Sequence, residues 1–279
     1  MKRSRASVID LHKQSGLPLL WDPAAKQIIF KDETAEHSVP PSDIRRRQDM
    51  YEVLYDRQSA EIEELYYMYR EVALAHDCDL IRQKGLRYDI TVIVPGTLGG
   101  EYVKTAGHYH PEKPGTGLTY PEVYEVLHGR AHYLLQRPQP EHPGQLESVI
   151  LIAAKPGDKV LIPPHFGHIT INPGDDYLIM SNWVAREFSS IYEPIREAGG
   201  GAYFELYSEE GPEFVANPNY QELPSLQRCP VTSVPKLNLI TGFPLYRLFQ
   251  ENQEAFNFLV YPENYVTVFE DYLQQLMAE

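Results

Sequence analysis

The segment VKTAGHYHP, residues 103–111, places His108 and His110 one residue apart. In an extended segment, side chains two positions apart share a face, so the two imidazoles can aim at one point while Tyr109 turns away. Such a pair can supply two ligands to a divalent ion, or simply belong to a polar strand, and its surroundings must decide. Seven of the ten histidines fall between His108 and His168, so further ligands are close at hand in the chain. The stretch PEVYEVLHG offers two carboxylates, Glu122 and Glu125. They lie three residues apart, hence on opposite faces of a strand, and only one can face the histidines. A fourth ligand comes from PPHFGHITIN, where either His165 in the turn or His168 at the head of a strand can close the set. Two imidazoles and a carboxylate would leave coordination positions open for water or substrate.

The elements that must hold these residues are short and β-rich. From Leu86 to Trp183 the chain reads as runs such as YDITVIVPG, EVYEVLHG, SVILIAAKPGD and YLIMSNWV, punctuated by Pro and Gly, which predicts a sandwich or barrel. GTLGGE lacks the G-K-S/T ending of a nucleotide-binding loop and reads as a hairpin turn. Upstream, the first forty residues read as an arm that packs on something larger. SDIRRRQDMYEVL and SAEIEELYYMYREVALAH predict helices, with Ser42 and Ser59 as N-caps and the cluster Tyr66, Tyr67, Met68, Tyr69 packed against the sheet. Downstream, LYRLFQENQEAFNFL and VTVFEDYLQQLMAE predict helices. The chain divides into an arm with helices (1–85), a β unit (86–204) and a mostly helical extension (205–279).

Composition narrows the function. A chain of 279 residues with 43% hydrophobic content can bury a substantial core, and its net charge of −14 argues against nucleic acid or anionic membrane as partners. A phosphorylated substrate needs only local donors and is not excluded. Cys78 and Cys229 fall outside any C-x-x-C pattern, which points to a reducing, cytoplasmic setting. No stretch has the length and apolarity of a signal peptide or membrane span.

The spacing of the candidate ligands resembles a known family. His108, His110, Glu122 and Gly129 follow the order of the first cupin motif, with a longer gap than usual before the glutamate. Gly157, Pro163, His168 and Asn172 follow the second, with His165 where a glycine is usual. More specifically, PGTLGGEYVKTAGHYH is similar to the signature of the cupin-type glucose-6-phosphate isomerases, with Pro95, Gly96, Gly100, Glu101, Thr105, Gly107, His108 and His110 all in place. The likeness runs from about Tyr66 to Tyr203 and leaves the last seventy-five residues unexplained.

That resemblance implies a mainly β fold, a single cupin barrel (double-stranded β-helix, jelly-roll) with helical extensions at both ends. It implies His108, His110, Glu122 and His168 as metal ligands, with His165 outside the set, and one divalent ion per subunit: ferrous iron first, with manganese, zinc or nickel as alternatives. It implies isomerisation of glucose 6-phosphate and fructose 6-phosphate, with Glu122 as ligand and as a candidate general base. Thr91, Thr105, Gly107 and Tyr124 would grip the phosphate, Lys104 would steer it, and Tyr192 would line the pocket. One position departs: the family commonly has a tyrosine where this chain has Val184, in SNWVARE. Another sugar phosphate such as mannose 6-phosphate, or a non-catalytic sugar-phosphate-binding cupin, are the alternatives that departure raises. Exposed sheet edges further predict a homodimer.

Overall fold

A computed structural model describes residues 7–31, 37–38, 41–142 and 144–278. Parts of the predicted N-terminal arm therefore lie outside the described residues. The chain is mainly β, and its core is a pair of facing sheets built from ten strands. They are β1 (Asp43–Arg46), β2 (Glu64–Tyr69), β3 (Leu86–Ile93), β4 (Glu122–His128), β5 (Ala131–Pro138), β6 (Leu146–Ala154), β7 (Lys159–Ile162), β8 (Gly167–Ile171), β9 (Leu178–Ala185) and β10 (Leu226–Cys229). One sheet has the order β7-β4-β9-β3-β2-β1 and the other β8-β5-β6-β10. All pairings are antiparallel except that of β6 with β10. This is the cupin barrel. GTLGGE forms a hairpin, in which Thr97–Leu98 pairs with Glu101–Tyr102.

Strand β3, LRYDITVI, shows how alternation divides the work. Tyr88, Ile90 and Val92 turn outward and are fully buried, while Arg87, Asp89 and Thr91 turn inward and line a cavity. The outward faces of β3 and β9 are covered by the C-terminal extension. Its helices Leu245–Glu251, Asn257–Val260 and Val266–Ala278 lie where helices were expected. Trp183 of β9 is fully buried, with its ring stacked on those of Tyr246, Phe249 and Phe256 at centroid distances of 5.9, 4.9 and 5.0 Å. Polar contacts secure the same layer: Leu245 N–H donates to the buried Glu125 carboxylate at 2.8 Å, and the Tyr246 hydroxyl donates to Asp77 at 2.9 Å. Burial pushes the Glu125 carboxyl up to about 7, against the pull of Lys159.

The segment 42–74 departs from the helical expectation. It forms strands β1 and β2, with only Arg47–Met50 helical beside a 3₁₀ turn at Tyr51–Val53, and the long helix begins later, at Ala75–Gln83. Ser59 sits in a loop rather than at a helix start, where its hydroxyl donates to Asp56 O at 2.8 Å. The run ELYYMY is buried on both faces: β2 pairs with β1 and β3, and Tyr67 packs outward on Trp21 of the arm at 5.7 Å. A strand covered on both sides loses its period-2 signature, and a near-continuous apolar run then fits a helix equally well. The extension also holds two strands, Glu213–Ala216 and β10. Thus residues from both ends of the chain, in β1 and β10, take edge positions in the two sheets.

Candidate metal centre

The two sheets bring His108, His110, Glu122 and His168 together, with one ligand atom of each within 4.8 Å of all the others. Each is placed by backbone pairing. A single antiparallel bridge sets His108 opposite His168, through His108 N–H to His168 O at 3.2 Å and the reverse bond at 3.0 Å. Gly107 makes the approach possible: its φ is +77°, and a Cβ there would sit 2.4 Å from Ile169 Cγ1. Glu122, the first residue of β4, faces inward, whereas Glu125 faces the C-terminal layer. The rival carboxylate is thus elsewhere, as is His165, whose N–H donates to Thr119 Oγ1 at 2.6 Å and whose φ is +71° where a glycine is usual. His128 and His132 pair with Asp176 and Glu205 at 3.0 and 2.7 Å, away from the cluster.

The donor set suits a divalent cation. His110 Nδ1 lies 2.7 Å from Tyr120 O, and since a carbonyl only accepts, Nδ1 carries a proton, so that in the neutral ring Nε2 presents a lone pair. That Nε2 lies 3.2 Å from His108 Nε2 and 3.2 Å from Glu122 Oε2. Glu122 Oε2 is also 3.3 Å from His168 Nε2, yet it is buried without a hydrogen bond, while Oε1 accepts from Asn182 Nδ2 at 2.6 Å. Burial pushes His108 and His168 down, favouring neutral rings. For Glu122, burial pushes the carboxyl up, and N–H donation from His110 and His168 would pull it well below the usual range; where those rings are neutral and present lone pairs instead, a cation would take over that pull. Facing lone pairs and an unpaired buried carboxylate oxygen repel one another unless a cation stands between them. Three neutral nitrogens and one carboxylate oxygen match Fe²⁺, Mn²⁺, Zn²⁺ or Ni²⁺.

A cavity opens beside this centre, and Thr91, Thr105, Gly107, Tyr124 and Tyr192 line it together with His108, His110 and Glu122. The Tyr124 hydroxyl lies 3.1 Å from His168 Nε2, and the Tyr192 ring is 5.5 Å from that of His108. Thr105 Oγ1 accepts from Thr170 N–H at 3.0 Å, which orients the hydroxyl and leaves its O–H to donate. Lys104 does not join the cavity and cannot steer a phosphate there. It is 4% exposed, with Nζ ion-paired to Glu101 and donating to Val53 O at 2.8 Å beneath the Phe204 ring. Val184 does line the cavity, directly opposite Glu122 in register.

Sequence reading missed Arg70, Arg87, Asp89 and Asn182, all on the cavity wall. They sit on neighbouring strands or, for Arg70, just past the end of one, with no fixed sequence spacing to the histidines. Asn182 is the one most closely tied to the candidate ligands, through its bond to Glu122 Oε1. Replacing it with Ala frees Glu122 Oε1 to rotate, and metal affinity is expected to fall by about 10–100-fold, measured by competition with a fluorescent chelator. Unchanged affinity would show that Glu122 needs no such brace.

A family model for glucose-6-phosphate isomerase matches residues 44–223. The chain is 30% identical to the glucose-6-phosphate isomerase of Pyrococcus abyssi over 184 residues, 64% of this chain and 87% of that one. It is 30% identical to the same enzyme of Thermococcus onnurineus over 185 residues, again 64% and 87%. Among solved structures, Bacillus subtilis oxalate decarboxylase shows a TM-score of 0.32 at 16% identity, over 46% of this chain and 27% of that one. The family match spans more than half of the chain, from the edge strand β1 past β9, and includes the whole candidate metal cluster. The chain belongs to the glucose-6-phosphate isomerase family, in its cupin form.

Proposed function

We propose that this chain interconverts glucose 6-phosphate and fructose 6-phosphate and depends on a divalent ion held by His108, His110, Glu122 and His168. The observation that carries the reading is the convergence of four ligand atoms within 4.8 Å on the wall of a cavity lined with hydroxyls. When bound, the ion supplies a Lewis acid that stabilises negative charge at O1 and O2 of the sugar. Ferrous iron is the first choice, on the borderline nitrogen-and-oxygen donor set, with manganese, zinc or nickel as alternatives.

The reaction moves a hydrogen between C1 and C2, and the chain's residues orient and bind. Thr91, Thr105, Gly107 and Tyr124 contribute hydroxyl and N–H donors to the sugar phosphate, and Tyr192 with Phe188 borders the cavity. In an enediol route Glu122, whose Oε1 accepts from Asn182, is the base for the C1 or C2 proton if the sugar lies within its reach. Val184 supplies no hydroxyl opposite Glu122. Specificity for a different sugar phosphate, such as mannose 6-phosphate, is the reading this position favours second. The protein acts in the cytoplasm, in glycolysis or gluconeogenesis, as a homodimer that a solution mass would test.

The assay is conversion of fructose 6-phosphate and mannose 6-phosphate by protein loaded with each metal. Turnover of fructose 6-phosphate well above that of mannose 6-phosphate supports the reading. Turnover of mannose 6-phosphate alone replaces it, and tight binding without turnover makes the chain a sensor.

A further inference from the structure

The cavity wall carries two arginines that the metal centre does not use. In the inward face of the six-stranded sheet, Arg87, Val184 and Glu122 are direct neighbours across three strands, and Asp89, Asn182 and Tyr124 form the adjacent row. Met68, Thr91 and Met180 form the third. Arg70 follows the last residue of β2 and lies beside Asp89, with Nη1 3.6 Å from Oδ2.

Asp89 is 4% exposed and its acceptors are taken. Arg87 Nε donates to both of its oxygens at 3.0 and 2.8 Å, and Glu71 N–H donates to Oδ1 at 2.9 Å. The side chain thus grips Arg87 by Nε alone. Among the described residues, neither Nη nitrogen of Arg87 makes a hydrogen bond, and Arg70 Nη2 meets only the Met68 thioether at 3.6 Å, a weak acceptor. Two guanidiniums set against one carboxylate leave one positive charge in this group of three, at the end of the row away from Glu122, in a chain whose net charge is −14. An anion in the cavity would neutralise that charge and take the free donors.

The geometry also fits the length of a sugar. Arg87 stands two strand spacings, about 10 Å, from Glu122 across Val184, a short side chain that leaves the gap open. Arg70 reaches over Met68, whose register partner is Thr91, and Arg70, Met68 and Thr91 line the same cavity. The planar fork of a guanidinium matches phosphate oxygens two at a time, as a lysine does not.

We propose that Arg70 and Arg87, braced by Asp89, are the cations that hold the substrate's phosphate and set a preference for phosphorylated over free sugars. They take the role for which Lys104 was the sequence candidate. The proposal rests on the sugar-phosphate reading above, but its test does not need turnover. The probe is 1,5-anhydroglucitol 6-phosphate, which carries the phosphate and has no reactive carbonyl, titrated calorimetrically into the metal-loaded protein. Binding by the wild type is expected to weaken about tenfold or more in both Arg70→Met and Arg87→Met, with Arg87→Lys recovering only part of the loss. In parallel, KM for fructose 6-phosphate should rise by a similar factor while kcat stays within about threefold. The affinity of Arg70→Met should also depend less on salt. Arg70 is the more exposed of the two, so Arg70→Met is the variant that keeps the fold if Arg87→Met does not. A folded Arg70→Met that binds the probe as tightly as the wild type would overturn the assignment, as would a loss confined to kcat. If the wild type binds the probe, Arg70→Met binds it more weakly and nothing is turned over, the isomerase reading fails and the phosphate site stands; if the wild type does not bind the probe, the phosphate site fails.

Discussion

Glu122→Gln is expected to lower turnover of fructose 6-phosphate about a thousandfold, some 4 kcal/mol of barrier, at saturating metal. The substitution keeps the shape and removes the charge. In the wild type, Oε1 accepts from Asn182 and Oε2 faces the Nε2 atoms of His110 and His168. A glutamine that satisfies Asn182 with its carbonyl must turn its NH₂ toward the metal position, and one that serves the metal leaves Asn182 facing an amide donor. Either arrangement costs a buried polar group its partner. Metal content by atomic emission separates the two contributions: a loaded but inactive variant places Glu122 in the chemistry, while an empty one places it in the ligand set. Wild-type rate in a metal-loaded Glu122→Gln would refute both roles.

Trp183→Ala is expected to cost about 3–5 kcal/mol of stability, the usual range for emptying a large aromatic site in a core. The indole is fully buried among Tyr88, Tyr246, Phe249 and Phe256, three of them on the C-terminal extension. At about 2–4 °C per kcal/mol for a domain near this size, calorimetry should show the unfolding midpoint falling by roughly 10 °C. Because Trp183 faces outward from the sheet, metal stoichiometry in the folded variant should stay at one per chain. A midpoint within 2 °C of the wild type would mean that the extension does not depend on this contact, and the layer it forms would need another explanation.

These two residues mark what the sequence made legible. Trp183 and Val184 are adjacent, yet one packs under the C-terminal helices and the other borders the cavity. Alternation alone predicts that they part, but not which faces the site. The candidate metal cluster was readable because its members are tied to local spacing: two histidines two residues apart, the first on an isolated bridge, and a third at the head of a strand. The choice between Glu122 and Glu125 was open from alternation and is decided in the structure by what lies behind the sheet, since Glu125 meets Leu245 and Lys159.

The residues that stayed hidden are those whose neighbours belong to other strands. Arg70, Arg87, Asp89 and Asn182 come together only when β2, β3 and β9 pair, and nothing in the local text around each one marks it. Lys104 was misplaced for the same reason. It sits four residues before His108 but points into a buried pair with Glu101. The helices expected over 42–74 failed because β2 is apolar on both faces, a pattern set by the arm packed outside it and the cavity within.

The most direct test of metal-dependent isomerisation is a metal titration. Protein stripped with a chelator until no metal is detectable would be refilled stepwise with ferrous iron, manganese, zinc or nickel, and conversion of fructose 6-phosphate followed at each step. The expected result is a rate near zero when stripped, rising to a plateau at one ion per chain for at least one of these metals. A full rate in the stripped protein would contradict the account, and so would no turnover with any metal at full occupancy.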